Sequence, residues 1–129
     1  MDIGDFLRDR ERWLERLDIP LVSYDEEVIR VARTHRASLQ LTLHFPGEFH
    51  LDIHETIDTS LCRAEFLSYS YQLRLGVRPI FRYDDAPHRE VGDHKHVFNH
   101  EDNVQPSQRP GLAALAREVE AHVTQGDRL

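Results

Sequence analysis

Leu39, Leu41, Leu43 and Phe45 alternate with Gln40, Thr42 and His44; after Pro46-Gly47, Phe49, Leu51 and Ile53 alternate with His50, Asp52 and His54. A period of two calls for half-buried strands, because successive side chains of an extended backbone point to opposite faces. The proline–glycine pair turns the chain between them. This stretch therefore reads as a β-hairpin with one apolar and one polar face.

Arg63 to Leu73 and Val77 to Tyr83, rich in Phe and Tyr, read as a second hairpin around Gly76. Phe6, Leu7, Trp13, Leu14 and Leu17 lie near one stripe of a helix over Asp5 to Leu17, behind an aspartate cap and ended by Pro20. Leu112, Leu115, Val119 and Val123 recur at helical spacing from Pro110 to Val123, closed by Gly126-Asp127. Between Tyr24 and Ala37 the pattern suits a short helix or a strand equally. From Tyr83 to about Pro110 Asp, Pro, His and Gly dominate without a repeating period, which predicts a long surface segment, functional or disordered. The expectation is one α+β domain over residues 1–129: an antiparallel sheet of about four strands, in two hairpins, with an N-terminal and a C-terminal helix.

The 129 residues suit one core, and 40% apolar with 30% charged residues is the balance of a folded chain. Cys62 is the only cysteine, so no intrachain disulfide forms and the cytoplasm is the default compartment. The start, Met1-Asp2-Ile3-Gly4-Asp5, is acidic where a signal peptide is basic, and no apolar run reaches the roughly 20 residues of a membrane span. Neither export nor a membrane role is expected.

A net charge of −7 argues by itself against a phosphate-binding protein. The charge is unevenly spread. From Cys62 to His100 six basic residues face five acidic ones, and Lys95, the only lysine among 16 basic residues, stands between His94 and His96. Four of the nine histidines fall between His88 and His100.

The densest chemistry runs from Tyr69, Tyr71 and Gln72 through Arg82-Tyr83-Asp84-Asp85-Ala86-Pro87-His88 to His94-Lys95-His96. In extended segments Arg82 and Asp84 share a face, as do His94 and His96. Imidazoles with a guanidinium and an ammonium suit metal-independent RNA cleavage, one group taking the 2′-hydroxyl proton and another protonating the leaving oxygen. Arg82 or Lys95 would stabilise the phosphorane charge. The bland alternative is a set of solvated loop histidines. A second alternative makes His88, His94 and His96 ligands of Zn²⁺ or another transition metal, with Asp84 or Asp85 as a fourth ligand or supporting partner. Tyr69 and Tyr71 read equally as stacking platforms for bases or as core aromatics. His44, His50 and His54 are solvent-facing strand residues or a cross-strand site for a metal or phosphate. Cys62 reads as a buried small residue more readily than as a nucleophile. No glycine-rich phosphate loop, Gly-x-Ser-x-Gly elbow or Cys-x-x-Cys pair occurs, which argues against nucleotide hydrolysis, serine-hydrolase chemistry and zinc fingers.

In Tyr69-Ser70-Tyr71-Gln72, Phe81 to Arg89, His94 to His96 and Val104 to Ser107, the sequence resembles the TumE family of toxins from toxin–antitoxin systems. Order and spacing agree with that family's motifs over Arg63 to Val123, with weaker similarity around Leu51 and Glu55. Ser70, Asp85 and Arg89 depart from the pattern, where the family has His, Asn and His. The resemblance implies a toxin with a cognate antitoxin. By analogy of size and locus it implies RNA as the substrate. The residues expected to act are His88 with one of His94 or His96 as acid and base, Asp84 orienting a histidine, and Arg82 with Lys95 holding phosphate. Tyr69, Tyr71 and Gln72 would contact the substrate. No cofactor and no metal are expected. A homodimer stays open, as do a non-catalytic binding module and a metal-dependent hydrolase with a His-x-His site.

Overall fold

The computed structural model describes residues 1–86, 93–98 and 102–126. Helix α1 (Ile3–Glu15) precedes strands β1 (Ser23–Arg30), β2 (Arg36–Phe45), β3 (Phe49–Asp58), β4 (Glu65–Leu75), β5 (Arg78–Asp84), β6 (His94–Phe98) and β7 (Asp102–Pro106), and helix α2 (Leu112–Gly126) follows. Each strand pairs antiparallel with the next, giving one seven-stranded meander in sequence order.

The α+β class and both helices agree with the sequence reading, but the sheet has seven strands rather than about four. The ambiguous Tyr24–Ala37 stretch holds β1 and the start of β2. β1 is an edge strand exposed on nearly every side chain, so it carries no alternation to detect. β6 and β7 lie inside the segment read as an irregular surface stretch. The signal of β6 is hidden because its buried positions are His94 and His96, on the face away from the helices, rather than aliphatic residues.

Helix α1 starts where it does because the Asp2 carboxylate accepts the Asp5 N–H (2.8 Å) and the Asp5 carboxylate accepts the Asp2 N–H (2.9 Å). Both helices cover the same face of the sheet. Leu41, Leu43, Leu51, Tyr71, Leu73 and Phe81 pack against Leu115, Val119 and Val123 of α2, while Ile3 and Phe6 of α1 join Ala37, Leu39 and Ile57. Burying each large side chain contributes about 1.5–3 kcal/mol. The Trp13 indole N–H donates to the Leu112 carbonyl (3.1 Å), which ties α1 to the start of α2. Gly126 ends α2 against the Phe49 ring, 2.5 Å from where a Cβ would stand, so the helix end approaches the β2–β3 turn only with glycine there. Among the described residues no helix is long and apolar enough to cross a membrane.

The covered face holds one fully buried carboxylate. Glu55 is in phase with Leu51 and Ile53, so alternation turns it into the core. Arg10 grips it with Nε at 2.8 Å and a terminal nitrogen at 2.7 Å, and the Tyr71 hydroxyl donates to it at 2.7 Å. The Arg10 guanidinium also lies 4.1 Å from the centre of the Phe6 ring. Removing one member of a buried ion pair costs more than never having had it, because the other charge is left unmatched. Arg10→Ala is therefore expected to destabilise the fold by about 3–5 kcal/mol in urea titrations. Tyr71→Phe should cost about 1–2 kcal/mol. An Arg10→Ala loss under about 1 kcal/mol would contradict the view of this pair as a stability element.

Candidate functional site

The opposite face of the sheet is polar, and its register assembles the site. β5 and β6 pair Arg82 with His96 and Asp84 with His94. Residues two apart on a strand share a face, and residues directly opposite on an antiparallel pair are neighbours. Two consecutive such pairs make a tile of four side chains, extended across β4 by Gln72 beside Arg82 and Ser70 beside Asp84.

Within the tile His94 Nε2 lies 2.8 Å from Asp84 Oδ1, and His96 Nε2 lies 3.5 Å from Asp84 Oδ2. The two Nε2 atoms are 3.0 Å apart. Arg82 Nε donates to Asp84 Oδ2 at 2.7 Å, and its terminal nitrogens reach Gln72 Oε1 and His96 Nε2, both at 3.3 Å. Arg82 can only donate, so in this arrangement His96 Nε2 offers its lone pair and His94 Nε2 carries the proton shared with Asp84. The Ala86 N–H completes the Asp84 shell at 3.1 Å. Phe98 lies flat against His96, with ring centres 5.6 Å apart, and fixes that ring's plane. Asp84, His94 and His96 are 5%, 1% and 2% exposed, on a face whose other strand residues are mostly half-buried. An open cleft of about 730 Å³, lined by His54, Ser70, Arg82, Asp84 and Asp85, adjoins them. That size suits a small ligand or one or two nucleotide units.

A family model described as Toxin TumE matches residues 10–126. The chain belongs to the TumE toxin family. No curated protein and no solved structure matched it. TumE membership makes this chain a toxin and implies an antitoxin as its partner. The match extends well beyond the Arg63–Val123 motif region, through the first hairpin and into the C-terminal part of α1.

Not every residue singled out in the TumE-like motifs reaches the tile. Arg82, Asp84, His94, His96 and Gln72 come together. His88 lies outside the described residues. Lys95 alternates to the helix-covered face, where it bonds Glu118 (2.5 Å) and sits 4.9 Å from the Tyr83 ring centre. Burial alone would lower its pKa, but the bonds to Glu118 and Tyr83 outweigh that and raise it. Tyr69 and Tyr71 also face the helices as core aromatics. Burial, with the carboxylates of Asp93 and Glu55 respectively, pushes both phenols up. Ser70, not singled out from the sequence as a site residue, lines the cleft together with His54, which the sequence groups with His44 and His50 instead. Cys62 is exposed in the β3–β4 connection rather than buried, so packing does not explain it.

The first hairpin carries its own polar cluster. His44 Nδ1 meets His50 Nδ1 at 2.8 Å, and His44 Nε2 meets Asp25 Oδ2 of β1 at 2.8 Å. Burial, then the Arg74 and His44 charges, hold the His50 pKa below its ordinary 6.5, against weaker opposing pulls from Asp52 and Glu48. The unfolded chain therefore takes up this proton at a higher pH than the folded one. Stability should be unaffected by His50 well above pH 6.5 and fall as pH drops through that value toward the lower folded pKa. Urea midpoints measured from about pH 8 down to about pH 5 should decline less steeply in His50→Gln than in the parent. Identical slopes would remove His50 from the acid response.

Proposed function

We propose that this toxin cuts RNA, with Arg82, Asp84, His94 and His96 as its reactive centre. The observation that carries the reading is the tile itself: two imidazoles and a carboxylate, locked by mutual hydrogen bonds, next to a cleft lined by Arg82 and Asp84. Groups held this tightly enter the reaction already oriented.

The reaction is attack of a ribose 2′-oxygen on the adjacent phosphorus. A base removes the 2′-hydroxyl proton, the O2′–P bond forms, the P–O5′ bond breaks, and a proton goes to the departing 5′-oxygen. The products are a 2′,3′-cyclic phosphate and a 5′-hydroxyl. Attacking and leaving oxygens lie on opposite sides of phosphorus. His94 and His96, with Nε2 atoms 3.0 Å apart, therefore act on one side as a unit rather than as a separate acid and base. In the metal-independent form of this scheme, His88 supplies the other side. Arg82, supported by Gln72, is the charge that meets the phosphate. Lys95, which points to the helix-covered face and pairs with Glu118, is left out of that role.

Expression from a tight promoter tests the reading. The parent chain should arrest growth and produce new RNA ends soon after induction, carrying 5′-hydroxyls. His96→Ala and Asp84→Asn should lower cleavage by about 10²-fold or more while remaining folded and able to bind the antitoxin. Arrest without RNA ends, or undiminished toxicity in both folded variants, would instead favour a toxin that blocks its target by binding.

A further inference from the structure

We infer that Asp84, His94 and His96 hold a divalent transition-metal ion, Zn²⁺ by their ligand chemistry. The inference rests on the RNA-cleavage reading for its location and changes one role in it, since imidazoles that hold an ion through Nε2 no longer move protons there; it is tested without RNA.

The geometry leads there first. One ligand atom from each of the three residues can be chosen so that all lie within 4.8 Å of one another. The two Nε2 atoms stand 3.0 Å apart, and Asp84 approaches His94 with Oδ1 at 2.8 Å and His96 with its other oxygen, Oδ2, at 3.5 Å. Ligands about 2.0–2.1 Å from a shared ion, at angles between octahedral and tetrahedral, stand roughly 2.9–3.4 Å apart. The His94–His96 edge lies within that range, and the nearest Asp84 oxygen to each histidine lies close to it. Two imidazoles and one carboxylate, leaving positions open for water or substrate, form a familiar donor set for a reactive metal.

Burial and support follow. The three residues are at most 5% exposed, so the chain has already met the cost of drying these polar groups in the folded state. Ligating carboxylates are commonly held by outer partners that fix their orientation. Asp84 has two: the Ala86 N–H on Oδ1 and Arg82 Nε on Oδ2. A metal would take the His96 lone pair that Arg82 now faces and release the proton shared by His94 and Asp84. Arg82 keeps its Asp84 contact in that state. Its positive charge opposes the ion but leaves the occupied centre cationic overall, which suits a phosphate oxygen at an open position.

The His44–His50–Asp25 cluster is the rival site on the same face. Its two imidazoles meet through Nδ1 at 2.8 Å, but its carboxylate lies on the far ring nitrogen of His44, so the three do not converge on one point.

The test uses the whole, untagged chain, stripped with a chelator and titrated with Zn²⁺ and, separately, Co²⁺. About one Zn²⁺ per chain should remain after gel filtration, with proton release on binding, a raised Tm and cobalt absorption bands of a nitrogen–oxygen site. Asp84→Asn, which preserves shape, should weaken binding by at least about tenfold. Should that variant not fold, the parent still decides: histidine ring NMR signals of His94 and His96 should shift to the Nε2-bound form while those of His44 and His50 stay. Less than about a tenth of an equivalent bound, or shifts confined to His44 and His50, would overturn the assignment. Zn²⁺ binding without RNA cleavage would leave this inference standing and remove the ribonuclease reading. Cleavage by stripped, chelator-treated protein that takes up no Zn²⁺ would do the reverse.

Discussion

The register between β5 and β6 is the constraint on which both faces of this protein depend. Slipping it by one residue would set Phe81, Tyr83, Lys95 and Val97 against the wrong partners, because side chains alternate with a period of two. The present pairing puts Phe81 and Tyr83 under α2 and the Arg82–Asp84–His94–His96 tile on the other side. Packing and site assembly thus favour the same alignment. Each polar bond in the tile penalises a slip that would unpack Phe81, and the buried Phe81 penalises one that would scatter the tile.

The two buried carboxylates show how differently the same group is used. Glu55 is fully enclosed, gripped by two Arg10 nitrogens and capped by Tyr71. Its charge is matched one to one by the Arg10 guanidinium. Asp84 also has an arginine, on Oδ2, but each of its oxygens faces an imidazole, His94 at Oδ1 and His96 at Oδ2, and a cleft borders the group. A carboxylate whose charge is met by titratable or metal-binding partners is chemically adjustable in a way that Glu55 is not. This contrast, more than burial, separates the structural face from the reactive one.

Where the sequence carried a period, the fold was readable in it. Leu39 to Ile53 specified a hairpin and its faces, and Gly76, at a positive φ of 57°, marked the turn of the next one. β1 was not readable because an exposed edge strand has no face to encode. β6 was hidden by its histidines. The motif that revealed the chemistry therefore also concealed the strand that carries it. The same period that put His94 and His96 together already assigned Lys95 to the other side, and likewise separated Tyr69 and Tyr71 from Ser70 and Gln72. Reading these segments as lists of reactive residues, rather than as strands with two sides, merged groups that the sheet holds apart.

Under the RNA-cleavage proposal an acidic chain faces a physical problem: its net charge of −7 would repel a polyanionic substrate at long range. The distribution of charge offers a local answer. Asp52 is paired with Arg74 and Asp84 with Arg82, so two carboxylates of the polar face are already neutralised. Attraction for phosphate then depends on contact at the cleft, where screening is weaker than between exposed charges. A centre of that kind gathers few counterions and engages few phosphates at once. Its affinity for RNA should consequently depend only shallowly on salt, in contrast to proteins that hold nucleic acid through a broad basic surface. Selectivity would then have to come from the shape of the cleft and from the bases it admits, because the backbone alone is held at too few points to fix a register.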